Sequence, residues 1–216
     1  MEAILLGASG LIGGELLNLL LADSNYSKVT IIVRKEFPIK NDKLQQIIAD
    51  FSTIEAHKDS LNADVVFSCL GSTKKKTPDL KKYYEVDHDY PLLVAKLVKD
   101  QGVNSFHVVS SLGANSSSSN FYTKMKGETE DDLKKVGFKS LHIYRPSLLT
   151  GERNEKRLLE NIGESVMKVI NPLLLGSIKK YRSISGKTVA SAMHKQSLNN
   201  NTGDFIYPSD KIKELA

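Results

Sequence analysis

The chain predicts an α/β protein: a doubly wound Rossmann fold with a mainly parallel sheet and a small C-terminal substrate-side embellishment. Three observations predict it. Short apolar runs alternate with helical patterns from the first residue, glycines crowd the first strand-to-helix turn, and the second strand ends in a basic pair.

Ala3-Ile4-Leu5-Leu6 is apolar at every position, as suits a strand covered on both faces. The helix that follows repeats Leu16, Leu17, Leu20 and Leu21 at helical spacing. Residues 29–33 read as the second strand, 46–50 as the third and 64–69 as the fourth. A helix over 89–100 carries Leu92, Leu93, Ala95, Leu97 and Val98 on a half-covered face. Strands five and six fall at 106–110 and 140–144, with a helix over 121–135 between them. The polar run 115–120 ahead of that helix reads as a loop with N-capping capacity. After Pro146 the alternation weakens. Residues 153–169 and 187–194 read as helices, Asn171-Pro172 as a break and 204–207 as a terminal strand. Nothing divides the 216 residues, so one domain is expected, with a dinucleotide-binding core over 1–150 and a substrate-side segment over 151–216. Apolar residues from Leu158 to Leu175 would wall the substrate pocket, a pattern that core packing explains equally well for most of them.

The first turn is Gly7-Ala8-Ser9-Gly10-Leu11-Ile12-Gly13. Glycines permit positive φ and let backbone approach a pyrophosphate, while the helix N-terminus offers free N–H groups and a positive dipole end. About 20 positions on, an NAD-binding chain carries an acid for the ribose 2′-hydroxyl. Here Arg34 and Lys35 stand there. A guanidinium pairs bidentately with a 2′-phosphate that an acid would repel, so NADP is expected over NAD. Asp50, closing the third strand, either faces the adenine edge or caps the following turn. Leu70 and Gly71 end the fourth strand, where a glycine lets a cofactor pass close or simply makes a turn.

Tyr122 and Lys126 lie four apart, on one face of the helix after strand five. Ser110 and Ser111 end that strand at the carboxyl edge, where ligands sit in such sheets. Together they supply what carbonyl reduction needs. The Tyr122 phenol donates a proton to a developing alkoxide, the Lys126 ammonium favours its phenolate and reaches the nicotinamide ribose, and Ser111 polarises the carbonyl.

The formal charge of +5 fits an anionic ligand. Acids interleave the bases, as over 128–135, so no nucleic-acid stripe is expected, and Lys74-Lys75-Lys76 reads as a solvated loop. Cys69 is the single cysteine, read as a small strand hydrophobe in a reducing compartment. The apolar stretch over 11–22 contains Glu15 and Asn18 and is too short to span a bilayer, and no secretory signal is read ahead of the first strand. A cytoplasmic protein with a small-molecule substrate is expected, with no metal, membrane or nucleic-acid partner.

These residues resemble the short-chain dehydrogenase/reductase superfamily, in its atypical branch: the Tat-interacting oxidoreductase-like subgroup and its microbial relatives. The resemblance spans nearly the whole chain. It rests on the phosphate loop, Val33-Arg34-Lys35, Phe67-Ser68-Cys69-Leu70-Gly71-Ser72-Thr73, Val86-Asp87-His88-Asp89-Tyr90, Val109-Ser110-Ser111-Leu112-Gly113-Ala114, Asn120-Phe121-Tyr122-Thr123-Lys124-Met125-Lys126-Gly127-Glu128 and Tyr144-Arg145-Pro146-Ser147. It implies NADP binding, Ser111, Tyr122 and Lys126 as the catalytic set, and Arg145-Pro146 on the nicotinamide side. Pairing of two copies through the helices beside the Tyr-x-x-x-Lys face is common in the superfamily, though no residue here decides it. The chain departs from many extended members at Asp87, where they carry the asparagine of a proton relay. Two other readings stay open: a protein for which NADP is a regulatory ligand without turnover, and an epimerase-like enzyme using the same three residues.

Overall fold

The computed structural model describes residues 1–150 and 176–216. The expected helix over 153–169, the Asn171-Pro172 break and the apolar wall between Leu158 and Leu175 lie outside the described residues. The chain begins with β1 (Glu2–Leu6), α1 (Leu11–Ala22), β2 (Lys28–Val33) and β3 (Leu44–Ile48), then passes through a 3₁₀ turn at Ile54–Ser60 to β4 (Val65–Ser68). Next come α2 (Leu80–Tyr84), a π turn (Glu85–Asp89), α3 (Tyr90–Asp100), β5 (Ser105–Val109), α4 (Phe121–Val136) and β6 (Ser140–Arg145). Short strands β7 (Leu149–Thr150) and β8 (Ile184–Ser185) pair with each other, and α5 (Gly186–Ser197), β9 (Gly203–Pro208) and α6 (Ser209–Leu215) complete the chain.

The main sheet has the order β3-β2-β1-β4-β5-β6-β9, and all its pairings are parallel. Strand alternation sorts the core into two layers. Ala3, Leu5, Val65 and Phe67 meet Leu16, Leu17 and Leu20 of α1 and Val189, Ala190 and Met193 of α5. Ile4, Leu6 and Val66 meet Val94, Ala95 and Val98 of α3 and Leu133 of α4. Burial on both faces is why these strands lack a polar face. The order of connection reverses between β1 and β4, which opens a crevice at their carboxyl ends.

The elements differ from expectation at particular places. β3 lies two residues earlier than the expected 46–50, because its register with β2 starts at Val29 against Leu44. The helical run over 80–89 was not expected, although Asp79 caps it by accepting the Lys81 and Lys82 N–H groups. β9 extends the sheet beyond β6, and α5 packs on α1, so residues after Ile184 contribute to the core.

One feature crosses several strands. Phe67, His107, His142 and Phe205 hold the same register on β4, β5, β6 and β9. The two imidazoles stack with centroids 4.2 Å apart and planes 4° from parallel. Burial pushes His107 well below the ordinary histidine range, with His142 adding to the effect, and pushes His142 down to about 4. Both rings are hydrogen-bonded without charge: His107 with the Tyr144 hydroxyl at 3.1 Å and His142 with that of Tyr207 at 3.0 Å.

Candidate functional site

The crevice begins at the turn between β1 and α1. Gly7 has φ +80°, and a Cβ there would lie 2.6 Å from the Cys69 carbonyl oxygen. A Cβ on Gly13 would lie 2.1 Å from the Gly7 oxygen, so the loop folds back on its own helix with no room for a side chain. The Gly10 N–H donates to the Gly7 carbonyl at 2.9 Å, and Gly10 caps α1 with no side-chain acceptor. The first-turn N–H groups are therefore left without a side-chain cap at a cavity of about 1100 Å³ lined by Gly10, Leu11 and Ile12. That tight cradle, with an uncapped helix end, fits a dinucleotide pyrophosphate.

Leu70, Gly71, Ser110, Ser111, Tyr122, Lys126, Arg145 and Pro146 line the same cavity. Gly7, Ala8, Ser9, Gly13, Arg34, Lys35 and Asp50 do not. Gly7, Ala8 and Gly13 form the back of the loop, and Ser9 is exposed beside them. Arg34 and Lys35 are exposed just past the end of β2. The Asp50 carboxylate accepts the Ser52 N–H at 2.9 Å and the Ser52 hydroxyl at 2.7 Å, which caps its own turn and lowers its pKa. The next residue donates its N–H to the Tyr90 hydroxyl at 2.8 Å. Burial raises the Tyr90 pKa, with Asp50 adding to and Arg34 opposing the effect, so both charges lie near its ring.

α4 delivers the polar wall. Asn120 caps it, accepting the Tyr122 and Thr123 N–H groups at 3.0 and 3.2 Å, which is the capping role expected of the serine-rich loop. Tyr122 projects to the surface, 36% exposed, whereas Lys126 one turn later is 4% exposed. The Lys126 ammonium lies 2.8 Å from Asp87 Oδ1. Burial works against that charge, yet Asp87, then Tyr122 and Glu130, hold its pKa above the ordinary lysine range.

The two serines of the β5 end have different surroundings. Ser110 is buried and donates its hydroxyl to Glu130, which also receives Arg145 Nε at 2.9 Å. Ser111 makes a long donation of 3.3 Å to the Leu112 carbonyl and lies at the cavity. Burial pushes the Cys69 thiol up, which suits the expected packing role rather than a nucleophile. Sequence reasoning assigned no role to Glu130. Its signal was present: 122, 126 and 130 repeat every four residues along one helix face.

A profile of the NAD(P)H-binding family matches residues 7–197. Protein FMP52, mitochondrial, of Eremothecium gossypii is 32% identical over 174 residues, covering 81% of this chain and 77% of its own. Protein HTATIP2 of Rattus norvegicus is 36% identical over 160 residues, 72% of this chain and 66% of its own. These similarities bear out the resemblance to the atypical branch. Among solved structures, MoeE5 in complex with UDP-glucose and NAD superposes with a TM-score of 0.71 at 15% identity, over 96% of this chain and 75% of that one. Human epimerase family protein SDR39U1 with NADPH gives 0.63 at 16% identity, over 96% and 73%. At such identities they show the fold, which is the one expected. The cytoplasmic expectation is corrected: relatives such as FMP52 carry a mitochondrial name, and residue usage held no information against it. Among the described residues no helix is long and apolar enough to cross a membrane.

Proposed function

This chain belongs to the NAD(P)H-binding family, and from that premise we propose that it is an NADP-dependent oxidoreductase of the short-chain dehydrogenase/reductase type, reducing a carbonyl or oxidising the matching alcohol. The observation that carries the reading is the convergence of Ser111, Tyr122 and Lys126 on the cavity that contains the uncapped end of α1.

When bound, the reduced cofactor supplies the hydride. The glycine loop would hold its pyrophosphate on free N–H groups, and Arg34 with Lys35 would receive the 2′-phosphate. Ser111 donates its hydroxyl to the substrate carbonyl and polarises it. Tyr122, which lines the cavity from the first turn of α4, gives a proton to the alkoxide oxygen. Lys126 would present its ammonium to the ribose hydroxyls and to Tyr122. Arg145, braced by Glu130, closes the nicotinamide side together with Pro146.

Dissociation constants for NADPH and NADH test the cofactor assignment. The wild type should prefer NADPH by at least about tenfold, and Arg34→Ala should weaken NADPH by about 10- to 100-fold with little change for NADH. Equal affinity of the wild type for the two cofactors contradicts the assignment.

A further inference from the structure

We propose that Asp87 is a positioning residue for Lys126: its buried carboxylate keeps the ammonium charged and ties it to the loop after β4. The inference rests on the reading of Lys126 as a member of the catalytic set. Its basis is geometric. Nζ and Oδ1 are 2.8 Å apart, with the two side chains 5% and 1% exposed, so little water screens the pair. The other Asp87 oxygen accepts the Ser72 N–H at 2.7 Å. One carboxylate thereby joins α4 to a loop that forms part of the cavity wall.

The backbone is shaped to put Asp87 there. It lies in the π turn that interrupts the helical run from Leu80 to Asp100, and such turns concentrate at functional sites. Thr129 of α4 donates to the Asp87 carbonyl at 3.3 Å while also donating to Met125, so the π turn is held against the same helix. Nζ approaches Oδ1 at 2.8 Å, so the carboxylate faces the ammonium directly. An amide of the same shape can keep the Ser72 contact and cannot supply the charge.

The other groups facing Lys126 do not replace it. Tyr122 and Glu130 come from its own helix, and Glu130 is already engaged by Arg145 from β6 and Ser110 from the end of β5. Tyr83 of α2 faces Asp87 and Tyr122, and burial, Asp87 and Tyr122 all push its phenol up, so it brings no negative charge. Asp87 is the principal counter-charge. Without it, burial is opposed only by Tyr122 and Glu130, and the ammonium loses proton affinity.

The test is a titration of lysine ¹³Cε resonances in the cofactor-free protein, with the Lys126 signal identified by its loss in Lys126→Met. In the wild type Lys126 should remain charged beyond the ordinary lysine midpoint of about 10.4. In Asp87→Asn its midpoint should fall by about 2 pH units, roughly a 100-fold loss of proton affinity, and Asp87→Glu should restore most of it. A midpoint in Asp87→Asn within about half a unit of the wild type overturns the proposal. Should that variant not fold, the wild type decides: a midpoint above the ordinary value supports the proposal and one at or below it overturns it. The measurement contains no cofactor or substrate, so it fails or succeeds separately from the oxidoreductase reading, which NADPH binding and turnover decide.

Discussion

Tyr122 and Lys126 sit one helical turn apart in opposite surroundings, one reaching solvent and the other sealed against Asp87. Their spacing is local, so both were legible in the sequence, as was Ser111 at a strand end. Their long-range partners were not. Asp87 lies on a different element from Lys126, and only packing of the π turn on α4 joins them. Glu130 shows the energetic stake of such pairs. It is 2% exposed and takes Ser110 and both arms of the Arg145 fork. Glu130→Gln removes the carboxylate that receives the fork and should cost about 1–3 kcal/mol in urea unfolding. An unchanged midpoint contradicts the bracing role of that pair.

At the scale of elements, the glycine loop is a steric statement as much as a binding one. Gly13→Ala places a methyl group 2.1 Å from a backbone oxygen, which no rotamer relieves. The loop must move, so a cost of about 1–3 kcal/mol is expected together with loss of NADPH binding. Calorimetric titration and thermal unfolding check it, and native affinity in Gly13→Ala contradicts the tight cradle. The loop was legible because its glycines stand between a clear strand and a leucine-rich helix. α2 was not, because Lys81, Lys82, Tyr83 and Tyr84 carry no apolar stripe, leaving Pro78-Asp79 as its faint start signal. β3 was misplaced by two residues because polar Gln45 obscures a strand start that pairing of Leu44 with Val29 of β2 fixes.

At the scale of the whole molecule, the parallel sheet was legible from alternation, but the stacking of His107 on His142 required the register of two strands. That stack has a consequence for pH. Both folded pKa values lie below the unfolded value of about 6.5. Between roughly pH 6.5 and 4 the unfolded chain binds protons that the folded chain refuses, so stability falls as pH falls through that window. The urea midpoint should therefore decline from about pH 7 to 5, and His142→Gln should flatten the slope. An equal slope in the variant contradicts the buried neutral pair. The central claim, that one cavity brings cofactor and catalytic set together for redox chemistry, is tested most directly by NADPH consumption across a panel of carbonyl compounds, in the wild type and in Tyr122→Phe. The account predicts at least one accepted carbonyl, a rate lowered by about 100-fold or more in the variant, and NADPH affinity kept within about threefold. Full turnover without the Tyr122 hydroxyl, or tight NADPH binding with no carbonyl reduced, would contradict it.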